Sequence, residues 1–250
     1  MLTAENYFSE ENKMRYFGSS QFKSFANCEE AAMAEIRGEY RGEETTALLV
    51  GSFVDAHFEG TLDIFRAQHP AIFTKQGDLK SEYRHAEYII ERIERDEMFM
   101  KYMSGSEQVI KTGQLFGVDW KIKIDSYHEG KAIVDLKVMK DFQPIWVDGQ
   151  GKIPFVEAWG YDFQGYIYTQ IEGANLPFFI AGATKEKPEP DLAIISIPQD
   201  QLDVAGEIIR AHIARFDAVK RGWEEPTRCE KCDYCKRTKK LSQIVSYLEV

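Results

Sequence analysis

Asp125, Asp135 and Lys137 have the plainest chemical capacity in this chain. Two carboxylates and an ammonium on adjacent short strands can hold Mg²⁺ and aim a water at a phosphodiester. From Val118 to Asp125 apolar and polar residues alternate. Val118, Trp120, Ile122 and Ile124 share one side, and Asp119, Lys121, Lys123 and Asp125 share the other. That two-residue period marks a strand with one buried face. Glu129-Gly130 is a turn signal, and Lys131 to Val138 reads as the next strand. Asp135 and Lys137 project to one side of it, with α-carbons roughly 6–7 Å apart, and a hairpin can set Asp125 beside them. Asp-x-Lys alone also fits a solvated strand face carrying an ordinary ion pair.

Three further places could join this group. His57 lies in Gly51-Ser-Phe-Val-Asp-Ala-His57, inside a helix expected over about Thr45 to Gln68. A neutral imidazole is a competent metal ligand, and a core histidine would look the same in sequence. Glu107 directly precedes a strand expected over Val109 to Leu115. Gln164 and Tyr168 stand four apart in a helix expected over Pro154 to Glu172, so the amide and the phenol share a face.

Taken in order, Gly-x(5)-His, Glu, Asp, Asp-x-Lys and Gln-x(3)-Tyr resemble the RecB-type branch of the PD-(D/E)xK nuclease superfamily. Within that branch the string is most similar to the phage and prophage RecE-like exonucleases. Ser19-Ser20-Gln-Phe-x-x-Phe-x-x-Cys28 resembles the amino-terminal Ser-x-Leu-x-x-Phe-x-x-Cys-Pro stretch of the branch, with Glu29 where proline is usual. The likeness runs from about Ser19 to Lys240. It implies His57, Glu107, Asp125 and Asp135 as ligands of Mg²⁺ or Mn²⁺ and Lys137 as the catalytic lysine. Gln164 and Tyr168 would support the active site and the DNA strand. The implied activity is a Mg²⁺-dependent exonuclease digesting one strand of duplex DNA 5′→3′ in recombination or repair. A ring-shaped homo-oligomer and a single-strand annealing partner are implied with it. Two rivals stay open: a CRISPR- or repair-type RecB-like nuclease of different polarity, and a non-catalytic DNA- or protein-binding module with a structural metal.

The four cysteines make a second group. Cys229-x-x-Cys232-x-x-Cys235 has gaps that let thiolates converge on one centre, and Cys28 completes four soft ligands. Zn²⁺ and a [4Fe–4S] cluster both suit four sulfurs, and free, unligated thiols are the third reading. Several RecB-type nucleases staple their chain ends with an iron–sulfur cluster in a similar arrangement, but their last gap is commonly five residues, whereas here it is two. A filled site would join the two ends of the chain and close a loop of about two hundred residues.

These groups need a scaffold. The 250 residues, 44% of them hydrophobic, can bury a sizeable core, and one domain over 1–250 is expected. Helices are expected over about Ser20 to Gly38, Thr45 to Gln68, Ser81 to Met103, Pro154 to Glu172 and Gln199 to Gly222. Two more strands are expected over Pro177 to Thr184 and Asp191 to Ile197. That order is an α/β core, a mixed sheet flanked by helices, with an amino-terminal helical elaboration; by resemblance the core is restriction-endonuclease-like. The stretch with Trp146 between Gln143-Pro144 and Gly151 reads as a loop beside the site and a candidate DNA contact. No apolar run is long enough to span a membrane, and the amino terminus lacks a signal-peptide pattern, so a reducing, cytoplasmic setting is expected. The net charge of −10 disfavours broad phosphate binding but permits a locally basic channel. Lys236-Arg237-Thr238-Lys239-Lys240 is a candidate backbone contact or a solvated tail.

Overall fold

A computed structural model describes residues 2–241 together with Ile244 and Ser246. The strands are β1 (Ser106–Leu115), β2 (Val118–His128), β3 (Ala132–Met139), β4 (Ile145–Val147), β5 (Gly151–Ile153), β6 (Phe178–Thr184) and β7 (Leu192–Ser196). Five of them form one sheet in the order β1-β2-β3-β6-β7, and β4 pairs with β5 in a separate hairpin. β3 and β6 run parallel, and the other sheet neighbours run antiparallel. The mixed α/β fold expected from the order of elements is present.

Each long helix expected from periodicity is interrupted, except the last. α1 (Glu10–Arg15) precedes α2 (Ser19–Asn27) and α3 (Glu29–Ile36), which part at Cys28. Extended backbone at Cys28, φ −167°, breaks the helix there. α4 (Thr46–Phe58) and α5 (Leu62–Gln68) part at Gly60, whose φ of 66° suits glycine. α6 (His85–Glu94) and α7 (Glu97–Met103) part at Asp96, which caps α7 by accepting from the Phe99 N–H. α8 (Phe155–Ala158) and α9 (Tyr161–Glu172) part at Gly160, φ 61°. α10 (Gln199–Lys220) is continuous, and α11 (Asp233–Thr238) follows the first two clustered cysteines and contains the third.

Two cores sandwich the sheet. Trp120, Ile122, Ile124 and Ile133 pack with Phe22, Phe25, Ile167, Ile209 and Phe216, from α2, α9 and α10. Val134, Leu136, Ala181 and Ala183 pack instead with Val50, Phe53, Val54, Ile89 and Phe99, from α4, α6 and α7. β2 and β3 pair only over Ser126↔Val134, Tyr127↔Ile133 and His128↔Ala132. Past that point they diverge. The open edge of β2 is taken farther along by Phe17, whose N–H donates to the Asp119 carbonyl at 2.9 Å while its carbonyl accepts from Lys121 at 2.8 Å. The expected polar face of β2 is therefore partly covered: Lys121 is 5% exposed and donates to the Tyr7 carbonyl at 2.5 Å. The stretch expected as a loop around Trp146 is the β4–β5 hairpin, with the indole 67% exposed.

Candidate active site

The divergence of β2 and β3 creates the site. Beyond Ser126↔Val134 the Leu136 N–H no longer faces a β2 carbonyl, and Asp125 Oδ2 accepts it instead at 2.9 Å. By the two-residue alternation, Ile124 on the α9 side leaves Asp125 facing α4, whereas Leu136 on the α4 side leaves Asp135 and Lys137 facing α9. The acids approach one another through the gap between the strands. Asp135 is 2% exposed; its Oδ1 accepts from Gln164 Nε2 at 2.5 Å, and its Oδ2 forms an ion pair with the Lys137 ammonium. Tyr168, one turn after Gln164, donates to the Lys123 carbonyl at 3.0 Å and ties α9 across β2.

On the α4 side a cleft of about 10 Å³, the size of one water or ion, is lined by Asp55, Glu59, Gln108 and Asp125, with Phe58, Met103 and Leu136 as its apolar wall. Among the described residues Asp55 Oδ1 and Gln108 Oε1 are buried here without a hydrogen bond, whereas Asp135 Oδ2 is met by the Lys137 ammonium. This matters because an unpaired buried oxygen is costly unless something fills it. Burial pushes the Asp55 carboxyl up to about 7, with Glu59 and Asp135 adding to the shift and Lys137 opposing it. Burial, then the neighbouring Asp135, also pushes Asp125 well above the usual carboxylate range. Burial alone would lower the Lys137 pKa, but Asp135 and Asp125 outweigh it and hold the ammonium above the usual lysine range. Clustered acid oxygens, two of the site's buried oxygens having no protein partner, beside a lysine ammonium suit a hard divalent ion and an anionic substrate.

Asp125, Asp135, Lys137, Gln164 and Tyr168 are thus brought together. His57 and Glu107 are not. His57 Nε2 meets Glu94 Oε1 at 2.8 Å, on the α6 side of α4. Two helical steps rotate a side chain by about 200°, so Asp55, not His57, enters the cleft. Glu107 is exposed on β1, and the adjacent Gln108 faces Asp125, donating to its Oδ1 at 3.4 Å. Gln108 has φ 53°, a left-handed backbone uncommon for glutamine. Sequence reasoning missed both Asp55 and Gln108. Gly51-x(3)-Asp55, with Glu59 a turn later, was a usable signal for the first.

The four cysteine sulfurs lie within 4.8 Å of one another and form no disulfide. Cys28 Sγ is 3.5 Å from Cys235 Sγ, and Cys229 Sγ is 3.9 Å from it. Cys229 Sγ accepts from the Lys231 and Cys232 N–H groups at 3.4 and 3.3 Å. Burial works against the Cys229 thiolate, yet these bonds prevail and bring its pKa down to about 6. Next to the site Glu29 receives Arg215 and the Thr227 N–H and hydroxyl, a second tie between the chain's two ends. In the basic run that follows, Lys236, Lys239 and Lys240 are exposed, and Arg237 lies over the Tyr40 ring at 5.0 Å.

Comparison with known proteins adds to this geometry. Residues 18–238 match the family described as "PDDEXK-like domain of unknown function (DUF3799)". The chain is similar to a crystal structure from Eubacterium rectale named "Putative exonuclease", with 48% identity and a TM-score of 0.94, over 100% of this chain and 97% of the other. Another solved structure, SSO0001, is 14% identical over 86% of this chain and 91% of its own, with a TM-score of 0.32. No curated protein matches the sequence.

Proposed function

Since this chain belongs to the PDDEXK-like family DUF3799, we propose that it is a divalent-metal-dependent deoxyribonuclease, an exonuclease acting on duplex DNA. The observation that carries this reading is the pair of buried, unpartnered oxygens of Asp55 and Gln108 lining one cleft with Asp125, next to the Asp135–Lys137 ion pair. Asp55, Asp125 and Asp135 would hold Mg²⁺ or Mn²⁺, with Gln108 Oε1 as a neutral fourth donor. When bound, the ion polarises the scissile phosphate and lowers the pKa of the attacking water. Lys137 remains an ammonium and neutralises charge building on the phosphate oxygens. Gln164 fixes the rotamer of Asp135, and Tyr168 anchors α9 against β2. The 5′→3′ polarity, the ring-shaped homo-oligomer, the annealing partner and the recombination or repair role follow from the RecE-like resemblance. A cytoplasmic setting is part of this reading. Among the described residues, no helix is long and apolar enough to cross a membrane.

The cysteines take a single Zn²⁺ in this reading. A tetrahedral ion with Zn–S bonds of about 2.3 Å places its sulfurs about 3.8 Å apart, close to the 3.5 and 3.9 Å separations here. An iron–sulfur cube seats each cysteine on a different iron and spreads its sulfurs more widely than a single ion does. We read 1–250 as one domain stapled at this site; Met1 and most of 242–250 lie outside the described residues.

End-labelled linear duplex DNA incubated with Mg²⁺ tests the activity. Wild type should release nucleotides from the 5′ end, and Asp135→Ala should be slower by about 10³-fold or more. Equal digestion by the folded variant and wild type would show that the site is misassigned. A colourless protein carrying one equivalent of zinc is expected; a broad brown absorption would replace zinc with a cluster.

A further inference from the structure

Lys23 takes no part in the mechanism above, yet it stands at its edge. Its ammonium lies 5.5 Å from the centre of the Tyr161 ring, and the Lys137 ammonium lies 5.6 Å from the same centre. Two cations therefore flank one phenol. Lys137 is paired with Asp135, whereas Lys23 donates to a neutral acceptor, the Trp159 carbonyl, at 3.0 Å. The fold makes room for this lysine at a backbone cost. Gly160, between α8 and α9, has φ 61°, and a Cβ there would sit 2.7 Å from Lys23 Cδ and 2.9 Å from Phe163 Cδ2. A side chain at 160 would displace the lysine stem. Burial, followed by the nearby Lys137, lowers the Lys23 pKa to about 8, with Asp135 and Asp162 opposing. Two ammonium groups near one phenol, only the first in an ion pair with a carboxylate, are relieved when an anion arrives.

We propose that Lys23 is a substrate-binding residue: its ammonium takes a non-bridging oxygen of the DNA backbone beside the phosphate held at Lys137. This rests on the nuclease reading for the identity of the anion. The chemistry it recognises is a phosphodiester, and no base is read.

Duplex binding in Ca²⁺ as a function of salt, alongside digestion in Mg²⁺, tests it in wild type, Lys23→Met, Lys23→Gln and Lys23→Arg. Loss of one phosphate contact lowers the slope of log affinity against log salt by about 0.9. Lys23→Met and Lys23→Gln should show that loss, with KM raised by roughly 5- to 20-fold and kcat within about threefold; Lys23→Arg should restore the slope. Thermal melting shows which variants are folded, and Lys23→Gln serves if the methionine variant is not. Unchanged slope and KM in a folded neutral variant overturn the proposal while leaving the nuclease reading intact. Wild type that binds duplex with a salt slope but digests nothing sinks the nuclease reading, and the slopes of the variants still decide Lys23.

Discussion

Asp55 and His57 sit two residues apart, and the cleft admits one of them. Asp55 lines it with an unpartnered oxygen, while His57 is paired with Glu94. Asp55→Ala should cost about 10²-fold or more in Mg²⁺-dependent digestion, whereas His57→Ala should stay within about threefold of wild type; steady-state rates on one duplex substrate compare them. The raised Asp55 carboxyl, at about 7, also sets a pH dependence. Its folded pKa exceeds the unfolded value of about 3.9. The stabilisation is therefore full below about pH 4 and is lost as pH rises through 7. Metal needs the ionised acid and removes the repulsion among the carboxylates. Added Mg²⁺ should raise Tm more at pH 8 than at pH 5, and Asp55→Asn should shrink that difference; equal metal shifts at both pH values would remove Asp55 from the ion.

At the scale of elements, α9 matters because it carries Gln164 and Tyr168 to the sheet, and α10 presses it there. Gly206 on α10 packs closely against α9, where an added Cβ would run into the Tyr166 ring. Gly206→Ala should destabilise the protein by about 1–3 kcal/mol, read as a lower Tm with reduced digestion at assay temperature. An unchanged melting curve would mean that α9 and α10 are less tightly coupled than their packing indicates. The helix breaks at Cys28, Gly60, Asp96 and Gly160 carry readable signals: two glycines, a capping aspartate and a cysteine. Apolar periodicity runs through all four, because packed helices on one core share their stripe whether or not the chain bends between them. The β4–β5 hairpin escaped notice because three-residue strands carry too few residues for alternation to register.

Across the whole molecule, the cysteine site closes the chain on itself. Cys28 at the α2–α3 break and Cys229, Cys232 and Cys235 around the start of α11 meet there, beside the Glu29–Arg215–Thr227 tie. Chelation of zinc, or Cys229→Ser, should lower Tm by roughly 6–12 °C, the shift that about 3 kcal/mol gives a domain of this size. Digestion at low temperature should persist, because the thiolates lie outside the acidic cleft. Loss of activity with no change in Tm would assign the cysteines to chemistry instead of structure.

Some of this was determined by the order of residues alone. Alternation in β2 and β3 is a local property, so Asp135 and Lys137 share a face wherever the strand is placed, and Gln164 and Tyr168 share one for the same reason in a helix. Four cysteines with two short gaps likewise announce a common centre. Which of two neighbours faces that centre is not local. Asp55 over His57 depends on the roll of α4 against α6, Gln108 over Glu107 on a single left-handed residue, and the convergence of the four sulfurs on packing between chain segments about 200 residues apart. Those choices are made by packing the two cores against a sheet whose middle strands diverge, and only the assembled tertiary structure contains that divergence.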